Sequence, residues 1–139
     1  MRQALHRLFV STHGKDLTDI TPSVLAWVSD QGIAVGLLTL WCRHTSASLT
    51  VQENASPAVR EDIRRYFETL VPEGAGRYVH DDEGLDDMPA HLRTMLTDTQ
   101  LTVPVADGCP VLGTWQGFYL FEHRRRPHRR EIVLHLFGE

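Results

Sequence analysis

Residues 33–42 (IAVGLLTLWC) form a nearly continuous apolar run. The run is much shorter than the about eighteen residues that a membrane-spanning helix needs, and its length suits a β-strand. Because its apolar residues do not alternate with polar ones, the run predicts a strand that is buried on both faces. The chain has 139 residues, the length of one ordinary domain, so we expect it to fold around one packed core as a single domain spanning residues 1–139.

Helix signals occur at three places in the chain. The strongest lie in residues 57–70, where Pro57 fits the first turn and apolar residues recur at helical spacing. An earlier helix is expected between Thr21 and Gly32, and a shorter one begins at Pro89. Two or three helices are thus predicted.

Short segments rich in β-favouring residues flank these helices. We therefore expect the α+β class, with a largely antiparallel β-sheet or sandwich. Residues 71–88 lack periodicity and are expected to form a long loop. Besides the apolar run, strands are predicted at residues 4–10, 47–52, 100–105, 117–123 and 131–137, with a further one at 110–114.

Composition bears on compartment and partners. Residues 1–10 lack the apolar stretch and cleavage site of a signal peptide, so we expect a cytoplasmic protein with no membrane partner. The formal net charge of −4 argues against a nucleic-acid partner. The charges are uneven, since residues 53–98 carry eleven acidic and five basic residues whereas residues 124–130 carry five arginines and no acid. This distribution suits a site that binds both a metal and an anion, or two solvated surfaces.

An acidic part of the long loop indicates a metal site. His80 is followed by five carboxylates within residues 81–87, which repel one another unless a cation or solvent screens them. His91 follows closely, in the first turn of the helix that begins at Pro89. We therefore predict His80 and His91 as metal ligands, with a flexible, solvated loop as the alternative.

His44, just beyond the apolar run, is the third candidate ligand. It could reach His80 and His91 across the core, although a lone histidine is more often structural. Three neutral imidazoles with an open position form a known catalytic zinc arrangement, so a zinc-like divalent metal is expected, with magnesium as an alternative. Asp81 and Asp86 are assigned a catalytic role, either orienting the ligands or transferring a proton.

Two polar segments supply further candidate groups. Glu53 and Asn54 follow the predicted strand 47–52, where Glu53 could act as a catalytic base and Asn54 could bind substrate, or both could begin a helix. Thr114 and Gln116 lie in a segment punctuated by glycines. That segment would let the backbone approach a bound anion, or it would form a hairpin turn.

Two more residues complete the predicted substrate site. Ser46, close to His44, is interpreted as a hydrogen-bonding group. Arg130, beside the final strand, is the arginine best placed to reach inward and bind phosphate. The rest of the arginine-rich hairpin tip is expected to be solvated.

Several motifs occur together in the order and approximate spacing of the YjbQ family, which is associated with secondary thiamine-phosphate synthase. The chain resembles this family from its first strand to its last residue. One departure concerns Leu85 and Asp87, which stand where the family commonly has Asp and Asn. The motifs are residues 44–50 (HTSASLT), 53–54 (EN), 71–73 (VPE), 89–91 (PAH), 112–117 (LGTWQG) and the closing 138–139 (GE).

The resemblance implies a compact α+β fold, a homotrimer with pockets near subunit boundaries, and a metal-associated polar site at His44, His80 and His91. It also implies a transferase reaction that joins a hydroxymethylpyrimidine diphosphate to a thiazole phosphate and releases pyrophosphate. We therefore expect a metal-dependent enzyme that acts on phosphorylated small molecules. Two alternatives stay open, a zinc-type hydrolase of a phosphate ester or amide and a non-enzymatic protein that binds a metabolite or a metal.

Overall fold

The computed structural model describes residues 1–139. Eight strands and three helices follow one another along the chain. They are β1 (Arg2–Thr12), β2 (Asp16–Asp19), α1 (Thr21–Asp30), β3 (Gly36–Cys42), β4 (Ala47–Glu53), α2 (Pro57–Leu70), α3 (Asp87–Leu96), β5 (Gln100–Ala106), β6 (Cys109–Pro110), β7 (Gln116–Glu122) and β8 (His128–Gly138).

The strands form two antiparallel sheets. The large sheet has the order β1-β8-β3-β5-β6, and the small sheet has the order β2-β7-β4. A tight turn at Asp107 and Gly108, with φ values of 52° and 74°, joins β5 to β6, as the Asp-Gly pair favours. The predicted α+β class is confirmed, with three helices. None of these helices is both long enough and apolar enough to span a membrane.

The apolar residues pack in two clusters on either side of the small sheet. The main core joins the inner face of the large sheet to the small sheet and α1, through residues such as Leu38, Leu134 and Leu120. On the other face of the small sheet, Phe121 of β7 packs against Phe67 of α2 with ring centroids 5.3 Å apart. The molecule therefore has three layers, the large sheet, the small sheet and α2.

The expectation that the run 33–42 is buried on both faces is wrong. Leu38, Leu40 and Cys42 of β3 are fully buried, but Trp41 between them is 47% exposed. One face of the large sheet packs on the core, and no element of this chain covers the other. The strand buried on both faces is β7, in which every residue from Gly117 to Glu122 is buried, because the small sheet lies between two layers.

Of three other segments, one has the predicted bounds and two differ from the prediction. The helix predicted at 57–70 is observed with those bounds. The strand expected at 110–114 shrinks to Cys109–Pro110. β2, Asp16–Asp19, was not predicted because a polar four-residue segment carries no strand pattern, and only its pairing with β7 makes it a strand.

Candidate metal centre

Three side chains with metal-binding atoms meet where the long loop enters α3. His80, Asp87 and His91 each present one such atom within 4.8 Å of the others, and we call them the His–Asp cluster. Oδ2 of Asp87 lies 2.8 Å from Nε2 of His80 and 3.1 Å from Nε2 of His91. Helix α3 places Asp87 and His91 one turn apart, four residues along the chain, and the loop supplies His80.

A backbone carbonyl fixes the orientation of the His91 ring. Nδ1 of His91 lies 2.7 Å from the carbonyl oxygen of Thr45. A carbonyl only accepts hydrogen bonds, so Nδ1 carries a proton and Nε2 is the ring nitrogen that faces Asp87. A proton or a metal cation between Nε2 and the carboxylate oxygen makes this contact favourable. Metal-binding histidines are commonly oriented by a carbonyl in this way.

Arg124 holds the carboxylates of the loop in place. Its Nη1 donates to Oδ1 of Asp87 at 2.7 Å, its Nε to Oδ2 of Asp86 at 3.0 Å and its Nη2 to the Glu83 carbonyl at 2.9 Å. Burial raises the pKa of Asp87, but the hydrogen bond to His80 and the charges of His91 and Arg124 outweigh it, so the pKa lies below its ordinary value. Asp87 is thus ionised, as a metal ligand must be.

His80 is the exposed member of the His–Asp cluster. Its hydrogen bond to Asp87 is the main cause that raises its pKa above the ordinary value, and a 3.1 Å hydrogen bond to Glu83 adds to it. His80 also forms a second group with Asp82 and Glu83, all three exposed. The acidic surroundings favour a cation on this imidazole, so a metal and a proton would compete for it.

His44 does not join the His–Asp cluster within this chain. Its Nε2 accepts a 2.8 Å hydrogen bond from the backbone N–H of Glu131, and its Nδ1 lies 3.5 Å from Nη1 of Arg130. Burial and the positive charge of Arg130 lower the pKa of His44. Within this chain two of the three predicted histidines therefore lie together with a carboxylate, and His44 lies apart because the segment after β3 turns it towards β8.

Arg130 reaches inward, and its guanidinium is bound to a carboxylate. Its Nε and Nη2 donate to the two oxygens of Glu122 at 2.7 and 2.5 Å, and Nη2 also donates to Oγ of Ser46 at 2.9 Å. Arg130 and Glu122 are both buried, and Thr12 donates to the same carboxylate at 2.6 Å. Because β7 ends at Glu122 and β8 carries Arg130, the pair joins the two sheets.

The predicted catalytic acids of the loop have separate positions. Asp86 is 8% exposed and accepts hydrogen bonds from Arg124 and from the backbone N–H of Arg125, at 2.8 Å for the latter. Burial raises the pKa of Asp86, but these hydrogen bonds outweigh burial and lower it. Asp86 therefore fixes the loop to the hairpin tip. Asp81 is exposed and belongs to neither group of ligand-type side chains.

Glu53 and Asn54 lie at the opposite end of the small sheet. Oε2 of Glu53 accepts a 3.1 Å hydrogen bond from the backbone N–H of Ser56, just before α2, as the helix-start interpretation predicted. Ala47 at the other end of β4 is six residues from Glu53, which is about 20 Å. Since Thr45 near Ala47 contacts His91, Glu53 is remote from the His–Asp cluster.

Thr114 and Gln116 lie beside Glu53 and Asn54. Gln116 pairs with Glu53 in the β4–β7 register, and Nδ2 of Asn54 donates to the Gln116 carbonyl at 3.3 Å. The Gln116 side chain accepts from the backbone N–H of Gly113 at 2.8 Å, and Thr114 is exposed in the turn. The predicted polar residues are therefore divided between two ends of the small sheet.

Sequence reasoning missed Asp87 and Arg124 as individual residues. The i, i+4 spacing of Asp87 and His91 on α3 was the signal available for the first. Nothing in the sequence pairs Arg124 with the acidic loop, because the contact joins residues 37 positions apart and the arginine-rich tip is typical of a solvated surface.

A buried polar chain was also not predicted. Nε2 of His123 lies 2.8 Å from Oγ of Ser48, which lies 2.6 Å from Oγ1 of Thr97. Burial, followed by the charge of Arg93, lowers the pKa of His123 to about 3. Nδ1 of His123 has no partner, so no carboxylate orients the ring, and Ser48 is 1% exposed. The pair therefore lacks the third member and the access that a serine nucleophile needs.

The fold and the site define a small α+β protein of two antiparallel sheets with a His–Asp cluster at the start of α3. The chain belongs to the family described as UPF0047 protein YjbQ-like, whose sequence profile matches residues 6–139.

Related sequences and a solved structure match this chain over nearly its whole length. A UPF0047 protein of Synechocystis sp. is 49% identical over 99% of this chain and 94% of its own length. The UPF0047 protein YjbQ of Escherichia coli O157:H7 is 42% identical over 95% of this chain and 96% of its own. The crystal structure of a conserved hypothetical protein from Thermus thermophilus superposes with a TM-score of 0.84 at 34% identity, covering 95% of this chain and 99% of the other.

Proposed function

We propose that the protein is a metal-dependent transferase that acts on phosphorylated small molecules, with the thiamine-phosphate synthase reaction as its chemistry. In that reaction a hydroxymethylpyrimidine diphosphate is joined to a thiazole phosphate and pyrophosphate is released. The observation that carries the proposal is the His–Asp cluster, in which an ionised carboxylate and two imidazole nitrogens point at one another.

The donor set fits a zinc-like ion. Zinc takes imidazole nitrogen and carboxylate oxygen at about 2.0–2.2 Å, and a tetrahedral ion separates its ligand atoms by about 3.3 Å. The observed separations of 2.8 and 3.1 Å from Asp87 Oδ2 would need to open by only a few tenths of an ångström. Magnesium prefers an all-oxygen octahedral shell, which two imidazoles suit less well.

Each residue at the proposed metal site has a separate role. His80, Asp87 and His91 would hold the metal, and Arg124 would keep one oxygen of Asp87 turned towards the histidines. Three protein ligands leave a coordination position for substrate. When bound, the metal would supply positive charge that stabilises the departing diphosphate.

We also propose that the protein is a homotrimer. The outer face of the large sheet supports this, because it exposes large apolar side chains that no element of the same chain covers. Leu5 is 61%, Phe9 46%, Trp41 47% and Phe137 39% exposed. An apolar sheet face of this kind is typical of a contact with another protein surface.

The metal content of the purified protein tests the proposed function. We expect about one zinc-like ion per chain in the native protein, and a loss of most of that metal in His91→Ala, whose ring supplies one ligand atom. His13→Ala, a change at an exposed histidine outside the cluster, is the control and should keep its metal. Pyrophosphate release from the two phosphorylated substrates should fall together with the metal.

Unchanged metal content in His91→Ala would contradict the proposed site, and undiminished pyrophosphate release from metal-free protein would contradict the proposed chemistry. Release of phosphate from a single phosphate ester, with no second organic substrate, would favour a hydrolase instead.

A further inference from the structure

A cleft of about 470 Å³ opens between α2 and the arginine-rich hairpin tip. Basic side chains dominate its lining, and the buried ring of Phe121 is its one apolar residue. We call it the cationic cleft. Its basic residues are Lys15, Arg64, Arg65, Arg93 and Arg125.

Arg93 is the deepest of these residues and its donors are largely unused. Its side chain is 2% exposed, and its one hydrogen bond runs from Nη2 to the Val71 carbonyl at 3.1 Å. Nε is buried with no partner, and Glu68 is 3.5 Å from Nη2. A guanidinium has five donors, and leaving a buried one unpaired is unfavourable. Arg93 also lines the cleft, so an acceptor group bound there would add a partner for its guanidinium.

The charge balance of the cationic cleft favours an anion. Five basic side chains line it against two carboxylates, Glu61 and Glu68. Two rim carboxylates contribute further: Asp16 binds Arg64, while Glu73 binds Lys15 and Arg125. One positive charge remains in excess after all four acids are counted. The surplus suits a phosphate group, whose oxygens match the planar donors of arginine.

The cationic cleft is separate from the His–Asp cluster but shares its supporting elements. Arg93 and His91 are two residues apart on α3, so their side chains point to different faces of that helix. The hairpin tip contributes to both, because the backbone N–H of Arg125 binds Asp86 while its side chain pairs with Glu73 at the cleft.

We propose that the cationic cleft binds the phosphate group of a small phosphorylated molecule. Its volume lies in the range of small-molecule sites, and the net charge of −4 on the chain disfavours a polyanion. The assignment to a phosphorylated metabolite rests on the proposed function, whereas phosphate binding itself requires no metal. Arg130, predicted for this role, is bound to Glu122, and the cleft provides the arginines in its place.

Titration of inorganic phosphate into the full-length protein, followed by NMR in EDTA and again with zinc, tests this inference. Arg125→Gln removes an exposed cleft cation and should leave the fold intact. We expect it to weaken phosphate binding about tenfold, the order expected for one charge-assisted contact. Arg126→Gln, its exposed neighbour outside the lining, removes the same charge from the same tip and should bind phosphate like the native protein.

Arg65→Gln, on α2 at the opposite side of the cleft, should weaken binding in the same direction. Equal binding by Arg125→Gln, Arg65→Gln and Arg126→Gln would overturn the inference. Phosphate binding only in the presence of zinc would also overturn it, while supporting the proposed metal site. Metal-independent binding that needs Arg125 would support the cleft even if the protein held no metal.

Discussion

Asp87 is the residue on which the candidate site depends. It is 3% exposed, one of its oxygens faces both histidines, and the other accepts a hydrogen bond from Arg124. Because its carboxylate is ionised, it places a full negative charge at the centre of the cluster. The charge strengthens binding of any cation shared by His80 and His91.

His123 should make the stability of the protein depend on pH. Its pKa is about 3 in the folded state, below the value of 6.5 for an exposed histidine, so the unfolded chain binds the extra proton first. Its contribution to the free energy of unfolding is therefore fully present above pH 6.5. Below that pH the unfolded chain takes up the proton and the folded protein does not, so the free energy of unfolding decreases as the pH falls towards 3. We expect this residue to remove about 2 kcal/mol of unfolding free energy between about pH 7 and pH 5.

Urea unfolding of the native protein and His123→Phe at several pH values would measure this slope. His123→Phe should be less stable near neutral pH but flatter over the same acidic range. Ser48→Ala loses the hydrogen bond to the ring yet keeps the buried imidazole, so it should retain the native slope. A native slope in His123→Phe would show that other groups titrate in this range.

The sequence predicted part of this site and could not predict the rest. His80 and His91 are tied by a short acidic loop, so their proximity was readable from spacing. The position of His44 depended on which strand end faces the loop, and the sequence does not specify this. The same limit applies to Arg130 and Arg124, since a tip of five arginines gives no sign of which one meets Glu122 and which meets Asp87.

At the level of elements, the pairing of β3 with β8 depends on two glycines. Gly36 and Gly138 are opposite each other, and a Cβ atom at Gly36 would lie 2.4 Å from the Phe137 carbonyl oxygen. Backbone atoms cannot move aside as a flexible side chain can. We therefore expect Gly36→Ala to destabilise the protein by about 3 kcal/mol.

The urea midpoint of Gly36→Ala checks this expectation. Gly113→Ala is the matched control, because its added methyl group would meet only the flexible Gln116 side chain, at 3.4 Å. That variant should lie within about 0.5 kcal/mol of the native protein. Similar midpoints for the two variants would show that the β3–β8 contact is looser than the structure indicates.

Local sequence patterns predict the positions of helices and strands well, but they predict poorly which faces of the sheets are covered. The predicted bounds of helix α2 are correct because a proline at its start, apolar residues at helical spacing and a following loop all indicate the same segment. The apolar run containing β3 was assigned the wrong burial because composition cannot distinguish a face covered by the same chain from one that is left exposed. In β7, Phe118 and Leu120 face one layer while Tyr119 and Phe121 face the other, which the order of strands in space determines.

For the whole molecule, the exposed outer face of the large sheet is the basis of the homotrimer proposal. Trp41→Asp places a charge on that face, which should dissociate a trimer because a buried charge without a partner is strongly unfavourable. Light scattering should then give a mass near the 15.8 kDa of one chain instead of about three times that value. Met95→Asp, 81% exposed on α3, should leave the assembly unchanged. An unchanged mass for Trp41→Asp would place the subunit contact elsewhere.

The proposed metal site requires that His80, Asp87 and His91 bind one metal ion. Crystals of the full chain grown with zinc, with diffraction measured at the zinc absorption edge, test it directly. We expect one strong anomalous peak about 2.0–2.2 Å from Nε2 of His80, Nε2 of His91 and Oδ2 of Asp87. A map with no peak among these three atoms, or with its strongest peak at His44, would contradict it.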